Sequence, residues 1–425
     1  MTLDEDLSPI ERIFALIMDR VSERLVKEGC RGFRNQSEAN AFYFKQVGDH
    51  RSRWSKHNPC MFPGCPDKSV RRSHTLSRSG PLKIVAEDGH VLSPAFDRRT
   101  GRLQMALVGA AKASCFPGFC QEHENRFCAL ETTKCVSSVD DHVLQFFRIA
   151  CREIRIKSAE HLLLERLVTG HEQAITDRAA SLMQEEVARI GGNLSAEVKR
   201  FEHEGLNKLQ APLRRRLAQL ASEITAYERD FLGPLSSEIE GNPSKSPLFV
   251  LSVDIPGHVV PVALAGSGTF ASAVTGEHHD VTALLNIWPS AAGTQLSILV
   301  KSQYQRDVEN YIREFRTPEF RVLSMIETWM VHGSDHWFLQ PSVWKRIPQT
   351  RAEKILGDIA DLSRNIGMEY ERSIFDERRS EFLEGSIGRG LASGWSEFLE
   401  LQRLKMTPEG CSCPWKSKER SRSLR

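Results

Sequence analysis

Cysteine residues are concentrated in one stretch of this chain, and their clustering limits how that stretch can fold. Six of the ten cysteines lie between positions 60 and 135, alongside His74, His90 and His123. Gly, Pro, Ser and Arg are frequent around them, and the apolar residues show no helical period. A small, irregular segment of this kind has little core of its own, so it needs another source of stability. In a chain with too few cysteines for a disulfide scaffold, clustered thiols predict bound metal.

Two ligand pairs have spacings that suit one metal ion. They are Cys60-Met-Phe-Pro-Gly-Cys65 and Cys120-Gln-Glu-His123. A Pro-Gly turn can bring the first two thiolates to one point, and the second spacing places its two ligands on one helical turn. Three thiolates and one imidazole make a closed tetrahedral set, which predicts structural zinc. One alternative stays open, because Cys115-x4-Cys120 repeats the first spacing and would give an all-cysteine site without His123.

The order of these ligands resembles a known zinc module. The predicted order is a knuckle, then a hairpin, then a helix with the last two ligands. This order is similar to that of a treble-clef zinc finger, and the resemblance covers about 60–131. With Arg-Ser-His74 and Gly-Phe-Cys-x2-His included, the chain resembles a group of bacterial proteins of unknown function whose outline is like that of HNH nucleases. The resemblance also implies a role in bacterial defence.

The same resemblance implies a catalytic role for one histidine. In HNH enzymes a histidine at the end of the first strand is the general base, and a divalent metal stabilises the developing phosphate charge. His74 occupies that position, so a second divalent metal would be expected beside it. Ser73 stands where such enzymes carry a metal-binding residue. The alternative is that His74 supports the zinc site by hydrogen bonding, or contacts a phosphate or a partner.

The charge of the chain is nearly balanced, with 57 Lys and Arg against 55 Asp and Glu, so any nucleic-acid surface must be local. Positions 51–78 are strongly basic, and Asp67 is their single acid. We predict phosphate contacts from Arg51, Arg53, Arg71, Arg72 and Arg78. The alternative is that this stretch is an ordinary solvated basic surface.

Helical periodicity dominates the middle of the chain, from about 138 to 233. The leucines Leu206, Leu209, Leu213, Leu217 and Leu220 keep a spacing of three and four residues. A pair of long helices broken near Gly191-Gly192 would account for this pattern. The apolar stripe forms either a seam inside one protomer or a coiled coil with a protein partner or a second copy.

The remaining local patterns are assigned from periodicity and turn residues. Helices are predicted over 10–25, 302–315, 318–331 (with Thr317 as its cap) and 348–380. Strands are predicted over 82–86 and 103–108, and a small sheet over 247–300. No long uncharged apolar window is present and the N-terminus is acidic, so we expect a soluble, cytoplasmic protein without a membrane partner.

Together these patterns predict an α+β protein with an N-terminal treble-clef-like zinc module, a long helical, coiled-coil-like middle, and a C-terminal small sheet with helices. The predicted segments are 1–47 (helical), 48–137 (zinc module), 138–241 (helical), 242–405 (α+β) and 406–425 (basic tail). We expect recognition of nucleic acid or a protein partner through the basic module. The alternatives are a metal-dependent HNH-like endonuclease that uses His74 and a structural zinc scaffold in a larger assembly.

Overall fold

The computed structural model describes residues 9–28, 32–33, 35–54, 56, 58–97, 100–191, 204–242, 247–272, 279–316, 320–361, 365–388, 396–408 and 410. The helices are α1 (Pro9–Lys27), α2 (Gln36–Trp54), α3 (Pro81–Val85), α4 (Gln121–Asn125), α5 (Cys128–Thr133), α6 (Val139–Arg189), α7 (Glu204–Tyr227), α8 (Gly233–Ile239), α9 (Gln305–Arg316), α10 (Phe320–Thr328), α11 (Pro341–Arg346), α12 (Gln349–Ile359), α13 (Asp376–Gly388) and α14 (Ser396–Lys405). The strands are β1 (Ser73–His74), β2 (His90–Phe96), β3 (Leu103–Gly109), β4 (Cys115–Phe116), β5 (Leu248–Pro256), β6 (Val262–Ser272), β7 (His279–Ser290), β8 (Gly293–Lys301) and β9 (Trp337–Leu339).

The chain forms two compact units, and each unit is assembled from two separate stretches. The described residues of 1–56 and 155–226 make the first unit, and those of 57–154 and 227–425 make the second. Helix α6 contributes its first part to the second unit and the remainder to the first. The division into five consecutive segments stays a prediction.

In the first unit, α1 packs along the C-terminal part of α6. The buried residues of this contact are Ile17, Val21, Leu25, Ile175, Ala179, Leu182, Met183 and Val187. Arg24 bonds to Glu185 at 2.7 Å and to Glu186 at 3.0 Å beside the apolar contact. The predicted amphipathic helix over 10–25 is therefore confirmed, and its apolar stripe has a partner within the chain.

Helix α7 is joined to α6 by ion pairs within the same unit. Lys157 contacts Glu223 at 2.6 Å, and Arg216 contacts Glu160 at 3.0 Å. Leu220 is fully buried, whereas Leu213 is exposed; the side chains of Leu206 and Leu209 lie outside the described residues. The long helices predicted in the middle of the chain are present, and a coiled coil with a second copy stays a prediction.

A seven-stranded sheet forms the centre of the second unit. Its strand order is β3-β2-β9-β6-β7-β8-β5, and each pair of neighbouring strands is antiparallel. The predicted sheet over 247–300 supplies β5 to β8, so that prediction is confirmed. The sheet is larger than expected because the hairpin β2–β3, from the cysteine-rich stretch, extends it through β9. Strands β1 and β4 form a separate two-stranded sheet, and the hairpin β2–β3 lies between them in the sequence.

The predicted strand over 82–86 is wrong, because this segment forms the short helix α3. Pro81 occupies the first turn, where its missing N–H is not needed. Leu82 and Val85 are both fully buried, and their spacing of three residues matches one face of a helix. The predicted strand over 103–108 is confirmed as β3.

The single helix predicted over 348–380 is also wrong, because the chain leaves the helical path between α12 and α13. The Ile366 amide donates to the Thr269 carbonyl of β6 at 2.8 Å, and the Tyr370 amide donates to the Thr328 hydroxyl at 2.9 Å. Ile366 and Tyr370 are fully buried. These contacts provide hydrogen-bond acceptors for backbone amides that are not in a helix. Tertiary packing therefore overrides the local helix propensity of this segment.

The other helical predictions fit the structure more closely. The helix predicted over 302–315 is confirmed as α9, preceded by a 3-10 turn. The helix predicted over 318–331 corresponds to α10 and a π-helical turn over Trp329–Gly333, whereas its predicted cap, Thr317, lies outside the described residues. In the part of the chain that the structure describes, no helix has both the length and the apolar character needed to cross a membrane.

Candidate metal centre

The first ligand pair lies in a tight turn that its own backbone closes. The Cys60 amide donates to the Asp67 carbonyl at 2.8 Å, and the Cys65 amide donates to the Phe62 carbonyl at 3.1 Å. Gly64 has a φ of +71°, which residues with a side chain rarely adopt. The Pro-Gly turn predicted from the sequence therefore reverses the chain between the two cysteines.

The second ligand pair lies at the start of α4. Cys120 immediately precedes the helix, and His123 lies in its first turn. The Met61 amide of the first turn donates to the Gly118 carbonyl at 2.9 Å, so backbone hydrogen bonding joins the two ligand segments. Gly118 itself has no room for a side chain, because an added Cβ would lie 2.6 Å from the Phe116 ring.

The four predicted ligands come together in one group. The ligand atoms of Cys60, Cys65, Cys120 and His123 all lie within 4.8 Å of one another. The Sγ atoms of Cys65 and Cys120 are 3.9 Å apart, and His123 Nδ1 lies 3.1 Å from Cys120 Sγ and 3.6 Å from Cys60 Sγ. Tetrahedral zinc with bonds of about 2.3 Å to sulfur and about 2.0 Å to nitrogen requires ligand separations of roughly 3.5 to 3.8 Å. This group can hold a metal ion with little rearrangement.

The environment of Cys60 explains why a cation would stabilise the group. Burial raises the pKa of the Cys60 thiol to about 11, although backbone N–H groups of Phe62 and Cys120 lower it. The Cys120 amide donates to Cys60 Sγ at 3.3 Å. A bound cation would favour the thiolate that burial alone disfavours.

Aromatic packing fixes the imidazole of the fourth ligand. The rings of Phe62 and His123 are stacked, with centroids 4.1 Å apart and an interplanar angle of 9°. The Arg126 guanidinium also lies over the Phe62 ring, 4.8 Å from its centroid. Phe62 belongs to the first ligand turn, so its ring also links that turn to α4.

The structure favours His123 over Cys115 as the fourth ligand. Cys115 is outside the group and lies in β4, where its Sγ atom is 3.3 Å from His74 Nε2 and 3.6 Å from the Ala111 carbonyl. The alternative all-cysteine site is therefore not the arrangement found. No spacing in the sequence predicted that Cys115 would face His74.

His74 lies in β1, half-buried, in the wall of an open depression of about 660 Å³. Burial lowers the pKa of His74, with Arg148 and Arg78 acting in the same direction and Glu131 raising it. The depression is also lined by Arg78, Lys83 and Glu131. Sequence reasoning missed Lys83 and Glu131, because they follow His74 at no spacing typical of a known site. We call this feature the His74 depression.

The five arginines that the sequence grouped together belong to two different compact units. Arg71, Arg72 and Arg78 are exposed on the segment that joins the two ligand pairs. Among the described residues, none of these three has an ion-pair partner. Arg51 and Arg53 lie at the end of α2, in the other compact unit, and their side chains are outside the described residues.

Comparisons with protein-family models, with curated proteins and with solved structures gave no match to this chain. Its proposed function therefore depends on the chemistry of the residues described above.

Proposed function

We propose that this chain is a zinc-binding protein that recognises nucleic acid through a treble-clef-like module. The observation that carries the proposal is the metal-competent group itself, Cys60, Cys65, Cys120 and His123, formed by a turn and a helix start on either side of the strand pair β1–β4. That order of turn, strands and helix supports the resemblance to a treble clef. The metal would fix the basic segment between the two ligand pairs.

Zinc suits the ligand set better than other biological cations. Three thiolates and one imidazole are soft or borderline ligands, and four such ligands complete a tetrahedron without an open position. Mg²⁺ and Ca²⁺ require oxygen ligands, which this group lacks. We assign the metal a structural role, because no position is left for substrate or water.

Nucleic acid is the partner that the exposed charges favour. Arg71, Arg72 and Arg78 have no acidic partner among the described residues, so their charges are available to phosphate oxygens. Guanidinium groups bind phosphate through paired hydrogen bonds, and such contacts are largely independent of sequence. A rigid module that presents several of them would position a strand rather than select its bases.

Titration of a labelled oligonucleotide at several salt concentrations tests this proposal. Wild-type affinity should fall with a log-log slope of about −0.9 for each phosphate neutralised on duplex DNA. Replacing Arg71 and Arg72 together with Ala should weaken binding and reduce the slope by about two units. The matched control removes two exposed arginines of α9, Arg306 and Arg313, and should leave binding unchanged.

Three outcomes would contradict the proposal. Affinity that does not change between low and physiological salt would exclude phosphate contacts as the main source of binding. An equal loss of affinity in the Arg71/Arg72 and the Arg306/Arg313 double variants would mean that Arg71 and Arg72 do not form the contact surface. A chain that holds zinc but binds no nucleic acid would be better explained as a structural scaffold or as a module for a protein partner.

A metal-dependent HNH-like endonuclease is the second candidate. Its support is the position of His74 on β1, beside β4 and ahead of α4, in the wall of a depression. Its weakness is that Cys115 Sγ lies 3.3 Å from the Nε2 atom that a general base would use. A cleavage assay with Mg²⁺, Mn²⁺ and Ni²⁺ on wild type and His74→Ala separates this candidate from simple binding.

A further inference from the structure

The His74 depression contains two cations that other residues do not neutralise. Arg78 and Lys83 line it from either side of the Gly80 turn, and both are exposed. In the described part of the chain neither has an ion-pair partner. An unpaired cation at a protein surface is common, but two in one concave feature make a local site for an anion.

The acid in the depression is already bound to another residue. Glu131 lies in the lining, and its carboxylate accepts a hydrogen bond from Arg148 Nη2 at 2.9 Å. Arg148 is fully buried and packs over the Phe127 ring at 4.1 Å, so its position is fixed. Arg148 also donates to Glu124 at 3.3 Å, and this shared guanidinium keeps the Glu131 carboxylate turned toward α6.

Part of the lining of the depression carries no bulky side chain. Gly89 and Ala110 contribute to the lining, and the Ala110 amide donates to the Gly89 carbonyl at 2.8 Å. A Cβ added at Gly89 would meet no atom within 4 Å, so this part of the wall is unobstructed. The volume of the depression, about 660 Å³, exceeds that of a phosphate group.

From this geometry we infer that the His74 depression binds a terminal phosphate monoester of a nucleic-acid strand. A terminal phosphate carries a charge of about −1.5 to −2 at neutral pH, which two unpaired cations complement. An internal phosphodiester carries one charge and is flanked by two sugars, which hinder its entry into a concave site. The inference rests on the proposed nucleic-acid binding and adds recognition of a strand end.

The test compares three oligonucleotides of one sequence by fluorescence anisotropy: one with a 5′-phosphate, one with a 3′-phosphate and one with neither. Wild type should bind at least one phosphorylated strand about tenfold more tightly than the unphosphorylated strand, as expected for new charge-assisted hydrogen bonds. Lys83→Gln should reduce this ratio to about threefold or less, because it removes one of the two cations. It should change the affinity for the unphosphorylated strand little.

Lys112→Gln provides the matched control. Lys112 is exposed on the turn between β3 and β4, outside the lining of the depression. Its loss removes the same charge from a neighbouring position, so it should leave the ratio between phosphorylated and unphosphorylated strands unchanged. If Lys112→Gln lowers the ratio as much as Lys83→Gln does, general electrostatics explains the preference and the inference is overturned.

The remaining outcomes separate this inference from the proposed function. If wild type binds all three strands equally, the strand-end site is overturned while nucleic-acid binding stands. If it binds none of them, both fail. A mononucleotide with a terminal phosphate should compete with the preferred strand at the depression. If the mononucleotide binds in a Lys83-dependent way while the strands show no preference, the ligand is a free phosphate compound and the strand end is excluded.

Discussion

His74 and Cys115 are cross-strand partners, and His74 Nε2 lies 3.3 Å from Cys115 Sγ. The register of β1 against β4 sets this contact, with Ser73 opposite Phe116 in the next position. A slip of one residue would move each of these side chains to the other face of the strand pair. Strand pairing therefore holds His74, the candidate general base, against the Cys115 thiol. The same two strands lie between the two ligand pairs of the metal centre in the sequence.

The first prediction concerns metal content. Purified protein should contain about one zinc per chain, because the four ligands form one closed site. His123→Ala should release the zinc, whereas Cys115→Ser should retain it, because only His123 belongs to the group. Elemental analysis after gel filtration measures both. Retained zinc in His123→Ala together with lost zinc in Cys115→Ser would restore the all-cysteine alternative.

Removal of the metal should also loosen part of the second unit. Metal binding and folding are coupled in small zinc modules, with apparent binding free energies of about 10 to 16 kcal/mol in comparable sites. We expect Cys60→Ser or Cys120→Ser to increase amide exchange over residues 58–74 and 115–131. Exchange in the contact of α1 with α6 should not change, because that contact belongs to the other unit. Unchanged exchange around the ligands would argue against a structural role for the metal.

The second prediction concerns His74. We expect His74→Ala to keep its zinc and its fold, since His74 lies outside the metal group. Wild type should cut plain duplex DNA little or not at all, because Cys115 faces the ring nitrogen that would accept the proton. Positioned proton transfer contributes roughly 10² to 10⁴ in rate, so a true base would be easy to detect. Robust metal-dependent cutting that His74→Ala eliminates would place the nuclease first.

The third prediction is a pH dependence at Cys115. Burial raises the pKa of this thiol from an ordinary value of 9.0 to about 11. The thiolate is the reactive form, so the alkylation rate of Cys115 should keep rising up to about pH 11. Peptide mass spectrometry after timed iodoacetamide treatment measures that rate, and exposed Cys128 serves as the internal control. A plateau already at pH 9 would contradict the expected shift.

The same shift has a consequence for stability. A group whose pKa is higher in the folded than in the unfolded state stabilises the fold fully below the unfolded pKa and loses that contribution as pH rises through the folded pKa. Cys115 should therefore contribute to stability up to about pH 9 and lose this contribution between about pH 9 and about 11. Cys115→Ser should flatten the fall in the free energy of unfolding across this window, as measured by urea titration.

The metal group was predictable from the sequence because its spacings are local. Cys60-x4-Cys65 and Cys120-x2-His123 each fit within one turn, and short-range geometry alone brings each pair together. The same holds for the amphipathic helix α1, whose period is visible in its own residues. Each of these features depends on a few consecutive residues, so sequence patterns contain the information needed.

The failure of the helix predicted over 348–380, and two contacts that the sequence did not predict, depend on distant parts of the chain. The break after α12 is stabilised by Ile366 bonding to Thr269 of β6, almost a hundred positions away. Among the described strands, the hairpin β2–β3 joins the rest of the sheet through β9, where Leu92 pairs with Leu339. Likewise, the pairing of His74 with Cys115 follows from strand register. No local period or turn residue specifies such contacts.

The fourth prediction concerns a buried charge network near the C-terminal end of the described chain. Glu327 and Arg379 are both fully buried and form an ion pair that joins α10 to α13. Glu327 Oε1 also accepts the backbone amides of Ile374 at 2.7 Å and of Phe375 at 3.2 Å. Glu327→Ala should destabilise the protein by about 3 to 5 kcal/mol, because it leaves a buried guanidinium without its carboxylate partner and two amides without their acceptor.

Two further variants make this prediction specific. Glu327→Gln keeps an oxygen for the two backbone amides but removes the charge opposite Arg379, so its loss of stability should be smaller than that of Glu327→Ala. Glu381→Ala removes an acid from an exposed pair with Arg378 at 2.8 Å, also involving α13, and should cost less than about 1 kcal/mol. Urea unfolding monitored by tryptophan fluorescence measures all three. Similar small losses for Glu327→Ala and Glu381→Ala would mean that the buried pair does not hold α13 in place.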